Sequence, residues 1–197
     1  MIPQESTVLN LFERTSAYLR GHFRLTSGLH SSEYLQCALV LQHPVHAESL
    51  GHELARQVLA LLAGGEVNVV ASPAVGGLII GHEVARALGA RFIFTERGTD
   101  GRMILRRGFS VQPGDSAVVI EDVVTTGGST REVVELLQAA GARVLAAGSI
   151  IDRSGGSAQV GAPRVALETL QVTAWLPEDC PLCRQGLPVV KPGSRTV

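Results

Sequence analysis

Val118-Val-Ile-Glu-Asp-Val-Val-Thr-Thr-Gly-Gly-Ser-Thr130 joins an apolar run, two adjacent acids and a loop of hydroxyls and glycines. Ala117 to Ile120 is unbroken, apolar and mostly β-branched, the pattern of a central parallel strand covered on both faces. Glu121 and Asp122 are then expected where the strand ends, at the carboxyl edge on which open α/β sheets bind ligands. Thr125 to Thr130 leads into the helical pattern Glu132, Val133, Val134, Leu136, Leu137, so the loop opens a helix. A helix start leaves backbone N–H groups unpaired and carries partial positive charge, and Gly127 and Gly128 let a ligand approach that backbone closely. No Lys follows the glycines and no G-x-G-x-x-G occurs, which sets aside the nucleotide-triphosphate and dinucleotide loops. Two carboxylates would repel a bare polyphosphate but can accept hydrogen bonds from the hydroxyls of a sugar phosphate such as ribose 5-phosphate. A plain capping turn is the simpler reading, but it needs only one acid and one glycine.

The order apolar strand, Glu-Asp, two apolar residues, Thr-Thr-Gly-Gly-Ser resembles the phosphoribosyl pyrophosphate motif of the type I phosphoribosyltransferases. The resemblance implies that Glu121, Asp122, Val123, Val124, Thr125, Thr126, Gly127, Gly128 and Ser129 bind phosphoribosyl pyrophosphate. Glu121 and Asp122 are then catalytic, holding the ribose hydroxyls. It also implies Mg²⁺ as cofactor, held mainly by the substrate, with no dedicated metal-binding residue on the protein.

The chain has 197 residues, 45% of them hydrophobic and 18% charged, with a formal net charge of −1. That describes one globular domain spanning 1–197, without the basic excess of a nucleic-acid binder. No run approaches the roughly 20 apolar residues of a membrane span, and Met1 to Thr7 lacks the regions of a signal peptide. A cytoplasmic location is expected, and three cysteines, an odd number, fit a reducing compartment better than a disulfide framework.

From the N-terminus, Ser6 can cap an amphipathic helix carrying Leu9, Leu11, Phe12, Tyr18 and Leu19, with Gly21 as its stop. Phe23 to Cys37 reads as a hairpin around a Ser-Gly turn, outside the main sheet. It resembles the N-terminal hood of orotate phosphoribosyltransferases, which implies a hood over about 20–40, completed by the C-terminal tail, with Tyr34 against the base. Tyr34 packed inward in an ordinary hairpin is the other reading. His46 to Leu62 is a crossover helix ending at Gly64-Gly65, and Val67 to Ala71 is a buried strand. Ser72-Pro-Ala-Val-Gly-Gly77 is a small-residue loop before a helix over Leu78 to Leu88. In the family this loop meets pyrophosphate and usually carries a Lys; Gly76 stands there in this chain. Thr26 likewise replaces the Lys that many orotate enzymes place before the Ser-Gly turn.

Arg91 to Thr95 reads as a strand, followed by a turn rich in Gly, Asp and Thr and flanked by arginines. The family places its flexible catalytic loop here. The usual Arg-Lys-x-x-Lys-x-His string is missing, so only Arg97, as a catalytic group, and Arg102 carry over as pyrophosphate contacts; a solvated hairpin is the alternative. Arg143 to Ile151 is a further strand ending at Asp152-Arg153. The resemblance makes Arg153, with Thr125 and Tyr34, the orotate-binding set, and a guanidinium suits a carboxylate because it donates two parallel hydrogen bonds. A salt bridge from Arg153 to Asp152 or a loop acid is the competing reading. Val165 to Leu170 and Val172 to Leu176 precede Cys180-Pro-Leu-Cys183. A Cys-x-x-Cys pair can be half a zinc site or a redox pair, but no second pair is visible in sequence, so free thiols in a structural turn are expected. Pro192 onward reads as a frayed or partner-packed end.

The units predict an α/β fold, a mainly parallel sheet with helices on both faces and a small N-terminal hood. The resemblance implies orotate phosphoribosyltransferase activity on orotate and phosphoribosyl pyrophosphate, in a homodimer with shared active sites, with neither nucleic acid nor membrane as partner. Purine or uracil salvage by the same fold, or a non-catalytic regulator that binds phosphoribosyl pyrophosphate, are the alternatives.

Overall fold

In the computed structural model, which describes residues 8–25 and 27–192, the centre is a six-stranded sheet in the order β5-β4-β3-β6-β7-β8. Its strands are β3 (Val69–Pro73), β4 (Arg91–Arg97), β5 (Met103–Leu105), β6 (Ser116–Val124), β7 (Arg143–Asp152) and β8 (Arg164–Thr169). All neighbours run parallel except β5, which returns against β4 as a hairpin. Side-chain alternation along β6 divides the core in two. Val118 and Ile120 face the helices α3 (Pro44–Leu61) and α4 (Gly77–Leu88), whereas Ala117 and Val119 face α5 (Gly128–Ala139). Helices therefore cover both faces, as the apolar runs predict.

The hood is a separate three-stranded sheet in which β1 (Tyr18–Arg24) pairs β2 (His30–Leu35), and β2 pairs β9 (Ala174–Trp175) from the tail. Two short helices flank it, α1 (Val8–Arg14) before it and α2 (Cys37–Leu41) after it. A further short helix, α6 (Pro181–Arg184), follows β9. Among the described residues no helix is long and apolar enough to cross a membrane.

Two expectations need correction. The first helix stops at Arg14 and does not continue to Gly21; Ser16 is left-handed, with φ 54°, and Tyr18 and Leu19 pair with β2 instead. Helical spacing cannot register that a cross-strand partner competes for the same residues. Ser6, Thr26 and the end beyond Pro192 lie outside the described residues. The second correction concerns β6, which does not end at the acids. It runs on to Val124 because Glu121, Val123 and Val124 stay paired with β7.

Close helix packing locks the α3–α4 layer. A Cβ on Gly51 would lie 2.5 Å from Glu83 Cβ and 2.9 Å from its carbonyl carbon, closer than real atoms approach. Gly51→Ala should force α3 and α4 apart and cost about 1–3 kcal/mol, read as a lower midpoint in urea unfolding. An unchanged midpoint would show that the two helices separate freely.

Candidate active site

β6 hands the chain to α5 through Thr125, Thr126 and Gly127. Gly127 sits at the helix N-cap with φ 79°, and a Cβ there would meet Val160 Cγ1 at 2.8 Å, so the turn needs glycine for both conformation and space. The first amides of α5 then face outward without intrahelical acceptors, next to the exposed Thr125 and Thr126 and the partly exposed Ser129. A helix start of this kind can accept an anion.

The two acids differ in burial. Both stand beside the start of α4: a Cβ on Gly77 would lie 3.3 Å from Glu121 Oε1, and one on Gly76 2.6 Å from Asp122 Oδ1. Glu121 is buried, and its Oε1 accepts the Asp122 N–H at 3.1 Å; burial pushes its carboxyl well above the usual range, and the Asp122 charge adds to the rise. Asp122 is partly exposed, accepts the Val123 N–H at 2.8 Å and lines the pocket below the hood. Val124 turns into the core, while its carbonyl accepts the Arg153 N–H at 2.8 Å. Through that bond the phosphate loop and Arg153 are held side by side.

The pocket has a volume of about 380 Å³ and a mostly apolar wall. Its polar groups include Tyr34, Asp122, Thr125, Thr126 and Arg153, with Ser27, Gln36 and further hood and tail residues closing the rest. Arg153 has no ion pair with Asp152. Asp152 belongs to Arg164, and the Ser154 N–H and hydroxyl also donate to it, at 2.7 and 2.6 Å. Burial alone would raise the Asp152 carboxyl, but Ser154 and Arg164 hold it below its ordinary value. Arg153 is left with a buried Nε that has no hydrogen-bond partner. Burial lowers its pKa, with nearby Tyr34 and Glu33 opposing. Tyr34 is raised first by burial and then by the Asp122 charge, with Arg153 opposing. Arg153 is thus a half-buried cation at the pocket wall with one donor unmet, a deficit that an anion can satisfy.

The basic loop is a formed hairpin turn, closed by Gly98 N–H donating to Arg102 carbonyl oxygen at 2.8 Å. Arg97 lies against its own chain's phosphate loop. It pairs with Glu132 and donates to Ser129 Oγ at 3.3 Å and to the Gly101 carbonyl at 2.7 Å. The Arg102 side chain is 86% exposed, with Asp100 only loosely paired at 3.9 Å. At the other rim, a Cβ on Gly76 would lie 2.6 Å from Asp122 Oδ1, so the space a lysine stem would take is filled by the Asp122 carboxylate.

Sequence reading also missed a partner for Cys180 and Cys183. Among the described residues, His22 and His30 converge on them from the hood, so the expected turn with no second ligand pair is not what the fold builds. Eight residues separate the two histidines along a hairpin, a spacing that only the β1–β2 pairing makes meaningful.

Glu121 generates a pH prediction. Its folded-state pKa lies above its unfolded one, so its contribution to stability is greatest below the ordinary glutamate range and declines as pH rises toward the raised value. Glu121→Gln has nothing to ionise. Its melting temperature should therefore gain on that of the parent as pH rises from about 4 to about 8, the difference levelling off at the acid end. Parallel melting curves across that range would show that Glu121 is not held protonated.

A family profile described as "Phosphoribosyl transferase domain" matches residues 43–181, which begins just after the hood. The chain is 53% identical over 190 residues to the orotate phosphoribosyltransferase of Pelotomaculum thermopropionicum, covering 96% of this chain and 97% of that protein. With the orotate phosphoribosyltransferase of Heliobacterium modesticaldum it shares 52% over 192 residues, covering 98% and 99%. Among solved structures, the orotate phosphoribosyltransferase from Aeropyrum pernix superposes with a TM-score of 0.68 at 28% identity, over 83% of this chain and 94% of that one. The matched relatives cover nearly the whole chain, and the chain belongs to the type I phosphoribosyltransferases, within the orotate phosphoribosyltransferase family.

Proposed function

We propose that the chain transfers ribose 5-phosphate from phosphoribosyl pyrophosphate to orotate, giving orotidine 5'-monophosphate and pyrophosphate. The observation that carries the assignment to an acidic base is Arg153, which lines the pocket beside the phosphate cradle and keeps a buried Nε without a hydrogen-bond partner. Uracil and the purine bases have no carboxylate to meet it. In the reaction a ring nitrogen of the base bonds to the anomeric carbon as the bond from that carbon to pyrophosphate oxygen breaks, and the proton lost from that nitrogen leaves with pyrophosphate or water. The sugar gains positive character on the way.

Each group then has a task. The α5 amides with Thr126 and Ser129 anchor the 5'-phosphate, so that binding energy remote from the reacting carbon orients it. Asp122 accepts from the ribose hydroxyls and favours the cationic ring, while Glu121, buried beneath it, supports that end of β6. Arg153 fixes the orotate carboxylate, and Tyr34 and Thr125 border the base. The exposed pair between Arg97 and Glu132 is worth about 0–1 kcal/mol, so pyrophosphate can readily replace Glu132 on Arg97. A hard cation fits this site as a guest of the substrate: Asp122 is a single carboxylate at the pocket, which suits Mg²⁺ kept mostly in water and phosphate oxygens. Bound there, Mg²⁺ supplies neutralisation of the charge that builds on departing pyrophosphate.

The family resemblance favours a cytoplasmic homodimer. In that assembly Arg97 serves its own chain's site, beside Ser129, and Arg102 is the side chain free to reach a partner's.

Three measurements test this reading. Pyrophosphate release with Mg²⁺ and phosphoribosyl pyrophosphate should require orotate, with uracil, adenine and hypoxanthine inactive; activity with uracil in preference to orotate would overturn the assignment, and binding without turnover of any base would indicate a regulator. Arg153→Ala should raise KM for orotate by about 10²-fold, the loss of a charge-assisted pair worth about 1.5–3 kcal/mol, while KM for phosphoribosyl pyrophosphate changes little. Equal weakening of both would make Arg153 a structural residue. Finally, mixing Arg102→Ala chains with Asp122→Asn chains should restore activity, whereas Arg97→Ala with Asp122→Asn should not. Recovery in the second mixture would move Arg97 to the neighbouring site.

A further inference from the structure

We propose that His22, His30, Cys180 and Cys183 form a structural zinc site that staples the C-terminal tail to the hood. Their ligand atoms all lie within 4.8 Å of one another. His22 Nε2 stands 2.9 Å from His30 Nδ1, 3.5 Å from Cys180 Sγ and 3.7 Å from Cys183 Sγ, and Cys183 Sγ is 3.3 Å from His30 Nδ1. A tetrahedron built on Zn–N of about 2.0–2.1 Å and Zn–S of about 2.3 Å has edges of roughly 3.3 Å between nitrogens, 3.5 Å between nitrogen and sulfur and 3.8 Å between sulfurs. These four separations fall around those edges, and the whole set, within 4.8 Å, needs only a small closure to reach them.

Hydrogen bonding gives a poorer account of the cluster. His22 Nδ1 lies 2.8 Å from the Leu187 carbonyl oxygen, which can only accept, so the proton sits on Nδ1 and the Nε2 lone pair points into the cluster. That one lone pair faces three groups and can take a proton from only one of them. A ligating histidine whose second nitrogen donates to a backbone carbonyl is also the usual way a metal site fixes its tautomer. The backbone contributes as well. A β-bulge between Arg20 and Phe23 breaks the alternation of β1, so the consecutive residues His22 and Phe23 are both buried, and His22 is turned toward the tail.

The tail supplies the second argument. From Leu176 to Val190, Cys180 is the one residue that is buried, while Leu176, Leu187, Val189 and Val190 are about half exposed. Apolar burial therefore cannot hold this segment in place. Its backbone nevertheless follows β1 closely: Arg24 N–H donates to the Val190 carbonyl and Val190 N–H to the His22 carbonyl, both at 2.8 Å. A Cys₂His₂ cation supplies the missing anchor, in the way small domains without a core use a metal. Two thiolates and two imidazoles select a borderline-soft tetrahedral ion, which is zinc rather than the oxygen-seeking Mg²⁺. The tail also carries Val172 and Ala174 to the pocket wall, so the staple keeps that wall closed.

The test is metal content of the full chain, purified under reducing conditions with zinc and then passed through metal-free buffer. One zinc per chain is expected, falling to background in His30→Gln and in Cys183→Ser. Cys183 is exposed, so its substitution should leave the far-ultraviolet circular dichroism of the sheet and helices unchanged. Replacement by cobalt should give the intense visible bands of a tetrahedral site and a thiolate charge-transfer band that Cys183→Ser diminishes. A chelator should expose the segment after Leu176 to protease while the central sheet stays intact. Failure of the wild-type chain to retain zinc, equal retention by both variants, an octahedral cobalt spectrum, or a disulfide between Cys180 and Cys183 in place of metal would each overturn the proposal.

Discussion

The constraint on which the structure depends is that β6 has no free side. Strands β3 and β7 occupy both its edges, and the α3–α4 layer and α5 occupy both its faces, so Ala117 to Ile120 are fully buried. A polar backbone in that position has its hydrogen bonds only in the ladder, and polar side chains can be placed only toward the carboxyl end. There the chain must leave the sheet and start a helix within a few residues. The left-handed Gly127 makes that turn, and the helix it opens presents unpaired amides where the substrate phosphate is proposed to lie.

Charge placement around that edge is decided by water. Glu121 and Asp122 are neighbours in sequence that differ in access to water, Glu121 being buried and Asp122 partly exposed at the pocket. Arg153 and Asp152 are likewise adjacent yet unpaired, since Asp152 is fully engaged by Ser154 and Arg164. The fold thereby keeps one partly buried guanidinium without an anion. Such an arrangement is costly to the empty protein, and a ligand carboxylate that completes it recovers what burial took away.

The hood and tail follow a different logic from the main sheet. The six-stranded sheet is held by two apolar cores, whereas the tail beyond Leu176 has almost no buried surface and runs beside β1 through a few backbone bonds. Its position matters because hood and tail together form the roof over Tyr34 and Arg153. Polar convergence of His22, His30, Cys180 and Cys183 stands in that region where a hydrophobic core would otherwise be needed.

Sequence by itself determined the α/β class, the glycine loop that opens α5 and the strand that leads to Arg153, because each is written in local periodicity and in glycines whose backbone freedom the turn requires. It also placed the hairpin outside the main sheet. It could not place the end of the first helix, since Tyr18 and Leu19 suit a helix face until β2 offers a ladder. Nor could it show that Glu121 is buried, that Arg153 lacks a partner, or that Cys180 meets a histidine 158 residues away. Those are properties of desolvation and of long-range contact, and a side chain's ionisation and ligands are set by whichever distant segments the fold brings within a few ångströms of it.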